Sequence, residues 1–499
     1  MNGEGSVNLS LVSHTNVGKT TLVRTLLRRD IGEVADRPHV TEHAEAHVLI
    51  ETGSGDVLRL WDTPGFGDSA RLLARLEASG NPIAWLQTQV WDRFTDRPFF
   101  SSQQAVRNVR DAGDVVLYLV NAAEDPAAAA YVPAEMRILG WIGKPVVVLL
   151  NQTGPGRGRE RDALDESAWS AHLAAHVGSH RVVTLDAFAR CWVQEDVLLA
   201  NVEHVIAPEK RDAFRRLREA WRARNLAVFD ESMKVLAAQL AALGADRQSM
   251  EESGGIANVA QEARRLLASI AGKPAKDDAA SERAMAELAA RLDRAVREST
   301  DRLIALHGLS GHAAERILAR LATQFDVTRP TSVNASGVLG GVVSGALGGL
   351  AADLSAGGLT LGAGMLIGGV LGALGAGGAA QAYNLARGAD AARVRWSASF
   401  LAQRPAAALL RYLAVAHYGR GRGDWVEAEY PPHWRIVADG VVEKRRERFE
   451  EAWRLASEGA PPAELESRLQ PLMGECARAA LCALYPEAAT LFSTTTAHS

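Results

Sequence analysis

The sequence has little cysteine and no excess of positive charge, and each absence excludes a class of protein. Three cysteines, Cys191, Cys476 and Cys482, occur among 499 residues. They are too few for a disulfide framework and lack the spacing of a metal site, which favours a reducing compartment. The formal net charge is −4, so electrostatics give no reason to expect the chain as a whole to bind nucleic acid.

A signal peptide is not predicted either, because the N-terminus is polar and leads almost at once into an apolar run. The chain does contain enough apolar residues, 47% of the total, to bury several cores. Its length predicts about two to four domains.

Residues 13–21 read Ser-His-Thr-Asn-Val-Gly-Lys-Thr-Thr, between an apolar run at 7–12 and a segment with helical apolar spacing at 20–29. A strand, a turn with Gly-Lys-Thr and a helix form the setting of a phosphate-binding loop, because the helix N-terminus presents unpaired N–H groups to an anion. Lys19 would reach the β- and γ-phosphates, and Thr20 would bind Mg²⁺. The alternative is an ordinary turn with a solvated lysine. The predicted nucleotide-binding residues of this loop are Ser13, Asn16, Val17, Gly18, Lys19, Thr20 and Thr21, with Ser13 where the motif usually has glycine.

Six strand-like apolar runs are separated mostly by helix-compatible stretches and predict a mainly parallel α/β sheet. Ligands bind such sheets beyond the carboxyl ends of the strands. Asp62-Thr-Pro-Gly65 follows the third run. Asp62 would hold Mg²⁺ through water, and the Gly65 N–H would sense the γ-phosphate; a simple Pro-Gly turn is the alternative. The six runs lie at about 7–12, 46–50, 57–61, 114–120, 145–150 and 181–185.

Thr41, in the loop before the second strand, is the candidate switch threonine that would close over Mg²⁺ and the γ-phosphate. His39, His43 and His47 recur nearby every four residues, but they would share a face only on a helix, and this stretch runs into a strand. A histidine metal site is therefore the weaker interpretation. The predicted catalytic residues are Lys19, Thr41 and Gly65, and the predicted magnesium ligands are Thr20, Thr41 and Asp62.

Asn151-Gln-Thr-Gly154 follows the fifth run. Together with the loop at 13–21, Thr41 and Asp62-Thr-Pro-Gly65, it makes the first 200 or so residues resemble the Era-like branch of the translation-factor-related P-loop GTPases. The resemblance implies a switch that binds GTP and hydrolyses it with Mg²⁺, and it implies that Asn151 contacts the purine ring. The family's guanine-reading aspartate corresponds to Gly154 here. Losing a charged hydrogen-bonding partner costs about 1.5–3 kcal/mol, so these motifs do not decide whether the chain prefers guanine to adenine. Asp186, in Thr-Leu-Asp-Ala at 184–187, could supply the missing carboxylate.

Two further positions follow from the resemblance. Phe66 stands where Ras-like members carry a water-orienting glutamine, so another source of transition-state charge is needed. Asn16 stands where potassium-stimulated relatives place the asparagine that ligates K⁺. The resemblance therefore implies K⁺ as a candidate cofactor beside GTP and Mg²⁺; the alternative is that Asn16 only shapes the turn.

Helical periodicity dominates after about residue 208. Phe229, Met233, Leu236, Leu240 and Leu243 form a short apolar seam. A similar one consists of Met285, Leu288, Leu292, Ala295, Leu303 and Leu306. Both seams predict the core of an α-helical bundle. Self-association through an intermolecular coiled coil is the alternative.

A glycine-rich apolar segment follows. Residues 336–352 and 354–382 carry no charge, and glycines recur every four residues, at Gly337, Gly341, Gly345 and Gly349 and again at Gly364, Gly368 and Gly372. About 20 apolar residues span a bilayer as a helix, and small-residue stripes let helices associate in lipid. The segment predicts a glycine-zipper hairpin with membrane association through 336–380. A buried soluble hairpin or a linker is the alternative.

The predicted fold is an α/β P-loop NTPase domain followed by an α-helical region with this hairpin. The predicted domains are 1–205 (GTPase), 206–330 (helical bundle), 331–388 (apolar hairpin) and 389–499 (C-terminal helical region). The whole chain also resembles a bacterial family in which an Era-like GTPase domain precedes a domain of unknown function. The predicted function is a GTPase switch coupled to a membrane-associated module, at the cytoplasmic face of the inner membrane or in the cytoplasm. The alternatives are a membrane structural or pore-forming protein with little turnover, and a soluble Era-like GTPase acting on RNA or the ribosome.

Overall fold

The computed structural model describes residues 5–28, 44–78, 97–153, 159–177, 180–187, 190–249, 276–309, 383–387, 392–418 and 431–493. The chain divides into two compact units. The first unit comprises residues 1–229, 416–434 and 481–499, and the second comprises 230–415 and 435–480.

The first unit contains a six-stranded sheet. Its strands are β1 (Ser6–Ser13), β2 (Glu45–Glu51), β3 (Val57–Asp62), β4 (Val115–Asn121), β5 (Val146–Asn151) and β6 (Arg181–Thr184). They lie in the order β2-β3-β1-β4-β5-β6. Every neighbouring pair is parallel except β2 and β3, which are antiparallel. The predicted mainly parallel α/β sheet is confirmed, with strand positions close to the six apolar runs.

Helices cover both faces of this sheet. They are α1 (Lys19–Leu27), α2 (Ser69–Ala78), α3 (Arg97–Asp111), α4 (Tyr131–Ile142), α5 (Arg159–Val177), α6 (Trp192–Val205) and the start of α7 (Arg211–Ala245). Central strands are apolar at successive residues because both of their faces are buried. In β4, Leu117 lies in one core with residues of α1, α6 and α7, whereas Tyr118 lies in a second core with residues of α2 to α5.

Residues of α7 and of the C-terminus complete the first unit. Phe214, Leu217 and Trp221 of α7 are buried in the same core as β1 and β3. The ring of Phe492 lies 5.9 Å from that of Trp192. The predicted domain limits, including the one at residue 205, stay predictions.

The second unit is mainly helical, which agrees with the predicted helical region. The described seam residues Met233, Leu236, Leu288 and Leu303 are buried, as expected for a bundle core. Its helices are the end of α7, α8 (Lys276–Leu306), α9 (Ala398–Ala402), α10 (Arg404–Ala416), α11 (Pro432–Glu443), α12 (Arg446–Glu458) and α13 (Pro462–Leu484). The end of α10, the start of α11 and the end of α13 are assigned to the first unit, as is the whole of α14 (Ala488–Ser493).

A three-stranded antiparallel sheet in the second unit had no signal in the sequence. It consists of β7 (Arg247–Ser249), β8 (Tyr383–Arg387) and β9 (Ala392–Trp396), in the order β7-β9-β8. Of the predicted apolar hairpin at 331–388, only residues 383–387 are described, and they form β8. Within the described part of the chain, no helix combines the length and the apolar character that a membrane crossing requires.

Candidate functional site

The predicted phosphate-binding loop lies between the end of β1 at Ser13 and the start of α1 at Lys19. Asn16 and Gly18 have φ values of 65° and 94°, in the left-handed region that asparagine tolerates and glycine favours. A Cβ atom on Gly18 would also lie 2.8 Å from Nδ2 of Asn151. Gly18 caps α1 without a side chain, so the first amides of the helix remain available to an anion.

The Lys19 ammonium folds back across this loop. Its Nζ donates to Oγ of Ser13 at 2.8 Å and to the His14 carbonyl at 3.5 Å. The residue is only 8% exposed. Burial lowers the pKa of Lys19 to about 8, and the charges of Asp62 and Glu135 oppose that effect. A bound phosphate would supply further negative charge at this buried cation.

Thr20 and Asp62 form the corner predicted to hold magnesium. The Thr20 hydroxyl donates to Oδ2 of Asp62 at 2.7 Å, across the gap between α1 and the end of β3. Among the described residues, the buried Oδ1 of Asp62 has no hydrogen-bond partner. Burial raises the pKa of Asp62 to about 6. A hydroxyl beside an unsatisfied buried carboxylate oxygen fits Mg²⁺, which prefers oxygen ligands.

The remaining predicted residues of the metal and loop set are Thr21 and Thr41. Thr21 is buried in the first turn of α1. Thr41, His39 and His43 lie outside the described residues. Across the ranges that are described, there is no group of three or more histidine, cysteine or acidic side chains arranged to hold a metal.

The Asp62-Thr-Pro-Gly65 segment lies directly against the phosphate-binding loop. A Cβ atom on Gly65 would lie 3.0 Å from both Nζ of Lys19 and Cα of Thr15. The Phe66 N–H donates to the Ser13 carbonyl at 2.9 Å. The Phe66 side chain is fully buried in the core that faces α2 to α5. It therefore packs in the interior and cannot take over the water-orienting role of a glutamine.

Asn151 joins the phosphate-binding loop to the turn after β6. Its Nδ2 donates to the Val17 carbonyl at 2.7 Å, and its Oδ1 accepts from the Ala187 N–H at 2.8 Å. In the same turn, Oδ2 of Asp186 accepts from the Thr153 hydroxyl at 2.9 Å. Gly154 lies outside the described residues. The structure thus brings Asn151 and Asp186, at the ends of neighbouring strands, to the same part of the fold.

A buried glutamate beside the loop escaped the sequence analysis. Oε1 of Glu135, on α4, lies 2.7 Å from Nδ1 of His14, and its Oε2 accepts from the Tyr118 hydroxyl at 2.7 Å. Ser69 also hydrogen-bonds to this carboxyl. Burial raises the pKa of Glu135. An acidic residue inside a mainly apolar helical stretch is the signal that could have indicated it.

Two family models match the chain. Residues 8–152 match the 50S ribosome-binding GTPase family, and residues 172–475 match the domain of unknown function DUF3482. The first match shows that the N-terminal region is a GTPase domain. The two together confirm the resemblance to an Era-like GTPase followed by a domain of unknown function.

Solved structures similar to this chain resemble it only distantly. Era in complex with MgGDPNP and a 16S ribosomal RNA segment is 16% identical, with a TM-score of 0.30, over 40% of this chain and 57% of that one. NFeoB from S. thermophilus, bound to mGMPPNP, is 15% identical, with a TM-score of 0.23, over 46% and 70%. A member of an oligomerised bacterial dynamin pair is 10% identical, with a TM-score of 0.24, over 98% and 70%. No curated protein matches the chain.

Proposed function

Because the chain belongs to the DUF3482 family and carries a GTPase domain, we propose that it is a magnesium-dependent switch that binds and hydrolyses GTP. One observation supports this proposal above the others. The Thr20 hydroxyl and the unsatisfied carboxylate oxygen of Asp62 meet beside a glycine-capped helix N-terminus and a buried lysine. The helix N-terminus and the lysine would bind a triphosphate, and Thr20 and Asp62 would bind its metal ion at the same place.

In the proposed reaction, water attacks the γ-phosphate of GTP, and the protein contributes positioning and charge neutralisation. The amides at the start of α1 and the Lys19 ammonium bind the β- and γ-phosphates. Thr20, Asp62 and Thr41 hold the magnesium ion or its waters, and the ion, when bound, neutralises developing charge on the phosphate oxygens. The Gly65 N–H senses the γ-phosphate.

Hydrolysis measured on the full chain tests this proposal. We expect GTP turnover that requires magnesium and is lost in Lys19→Ala. Lys234→Ala, an exposed lysine on α7 in the second unit, is the control and should retain turnover. Unchanged hydrolysis in Lys19→Ala would contradict the assignment.

Asp186 is the proposed guanine-reading residue. It follows β6, lies near Asn151 through the Ala187 N–H contact, and carries the carboxylate that Gly154 lacks. A carboxylate accepts hydrogen bonds from the guanine amino and imino groups, whereas an amide can donate to a carbonyl at the same ring position. We therefore expect Asp186→Asn to weaken GTP binding and improve XTP binding. Equal GTP affinity in the variant and the wild type would exclude Asp186 from base recognition.

Potassium is the proposed second cation. The left-handed conformation of Asn16, with φ 65°, keeps this residue at the turn of the loop, where potassium-stimulated relatives carry an asparagine. Turnover should be faster in K⁺ than in Na⁺ at equal ionic strength, and Asn16→Ala should remove the difference. Equal hydrolysis rates in the two salts would show that Asn16 does not bind K⁺ and only shapes the turn.

Membrane association through residues 336–380 is the proposed output of the switch, with the chain at the cytoplasmic face of the inner membrane. Its support is the uncharged, glycine-patterned sequence. Sedimentation with membranes in carbonate, lost on deleting 336–380, is expected. If the full chain stays in the supernatant, the result favours a soluble GTPase that acts on RNA or the ribosome. If the chain binds membranes and nucleotide but does not hydrolyse GTP, the result favours a structural or pore-forming protein.

A further inference from the structure

Glu135 is a buried carboxylate that contacts three separate elements of the GTPase domain. It bonds to His14 of the phosphate-binding loop and to Tyr118 of β4. It also bonds to Ser69, the first residue of α2. Its side chain is 0% exposed. Removing a carboxylate from water is costly unless it is well paired, so these three contacts are what make its burial tolerable.

The imidazole of His14 is fixed in two ways. Its Nδ1 faces the Glu135 carboxyl, and its ring stacks on Tyr131 with 4.4 Å between centroids and 24° between planes. The Tyr131 hydroxyl in turn donates to Glu124 at 2.9 Å. The second residue of the phosphate-binding loop is therefore tied to α4 by both a hydrogen bond and a stacked ring.

Glu135 also holds the segment that follows Gly65. The Phe66 N–H bonds to the Ser13 carbonyl, and a bridge pairs Phe66 with His14. Ser69, three residues later, bonds to Glu135. Residues 65–68 are thus attached at one end to the phosphate-binding loop and at the other to the carboxyl that holds His14 of that loop.

We propose that Glu135 is a positioning residue for GTP hydrolysis, which joins His14 and Ser69 so that Gly65 is held in register with the phosphate-binding loop. This inference rests on the proposed GTPase function. Among the described contacts, Glu135 makes no hydrogen bond to Thr20 or Asp62. Its hydrogen bonds to His14 and Ser69 act on alignment, and its charge acts separately on Lys19. Misalignment by about 1 Å can cost about 100-fold in rate.

The test compares Glu135→Gln with Glu195→Gln in the full chain. Glu195 is a matched control, since it is also buried, at 1% exposure, in the first unit, but its carboxyl faces Arg190 at 2.8 Å. Single-turnover hydrolysis with saturating enzyme reports the rate per bound nucleotide, and a fluorescent GTP analogue reports affinity. We expect Glu135→Gln to slow hydrolysis by about 10- to 100-fold while GTP affinity changes less than the rate does. Glu195→Gln should keep the wild-type rate per bound nucleotide.

Ser69→Ala provides a second arm, because it removes one hydroxyl and leaves the carboxyl in place. Ser69→Ala should also slow hydrolysis. The double variant with Glu135→Gln should hydrolyse GTP at the same rate as the slower of the two single variants. A wild-type rate in Glu135→Gln or in Ser69→Ala, or a loss confined to affinity, would overturn the inference. Absence of GTP turnover in the wild-type chain would instead overturn the proposed function itself.

Discussion

Replacing Asn151 with alanine should loosen the GTPase domain at two places at once. Its side-chain amide donates to the Val17 carbonyl at 2.7 Å and accepts from the Ala187 N–H at 2.8 Å, and the residue is fully buried. Alanine would leave both backbone groups without a partner in the interior.

The size of the effect follows from those two groups. A buried backbone group that loses its partner costs about 1–3 kcal/mol, so the pair predicts a loss of about 2–6 kcal/mol. Because each 1.36 kcal/mol is tenfold in an equilibrium, even the lower limit corresponds to about a 30-fold loss of protection against local opening.

Hydrogen exchange followed by mass spectrometry on the full chain measures this loss in peptides from the phosphate-binding loop, from β5 and from the turn after β6 that contains Ala187. Asn121→Ala is the control. Asn121 pairs with Asn151 across β4 and β5, but its bonds, to the Ala123 N–H and to Glu124, are exposed. Substitutions at such surface positions cost about 0.5 kcal/mol or less. Equal losses of protection in the two variants would refute the reasoning.

Three other outcomes are expected. Gly65→Ala should abolish most GTP turnover, because its Cβ would lie 3.0 Å from the loop backbone, whereas Gly53→Ala, with nothing within 4 Å, should have wild-type turnover; equal turnover in the two would contradict the packing argument. Asp62→Asn should raise the magnesium concentration for half-maximal turnover by about tenfold or more, and an unchanged magnesium titration would exclude a role in metal binding. The hydrogen bond from Arg216 lowers the pKa of Asp56 from 3.8 to about 2, so this carboxylate stabilises the fold above pH 3.8 and the contribution is lost as pH falls through 2. Asp56→Asn should therefore flatten the acid limb of the unfolding free energy, and an identical pH profile would contradict the assignment.

Much of the site could be predicted from the sequence, because phosphate binding uses residues that are close together in the chain. The loop at 13–21 and Asp62-Thr-Pro-Gly65 each consist of a strand end and the turn that follows it. β1 is buried at seven of its eight residues, whereas β3 alternates between half-buried and buried residues. Both strands still appear in the sequence as short apolar runs.

The contacts between distant segments could not be predicted. His14 and Glu135 are 121 residues apart, and nothing in either stretch indicates its partner. The pairing of β7 with β9 joins residues 247–249 to 393–395, again without a local signal. A helical stripe such as Phe214, Leu217 and Trp221 shows which face is buried but not which core receives it. Position in a sheet and the partners of buried polar groups are set by the tertiary fold.

The most direct test of the account is a calorimetric titration of the purified full chain with GTP and magnesium. The wild type should bind with measurable heat and about one site per chain, because a single helix N-terminus, its lysine and the Thr20–Asp62 pair form the predicted site. Lys19→Ala should show little or no binding under the same conditions. Absence of binding heat in the wild type for both GTP and ATP, or equal binding by Lys19→Ala, would contradict the account.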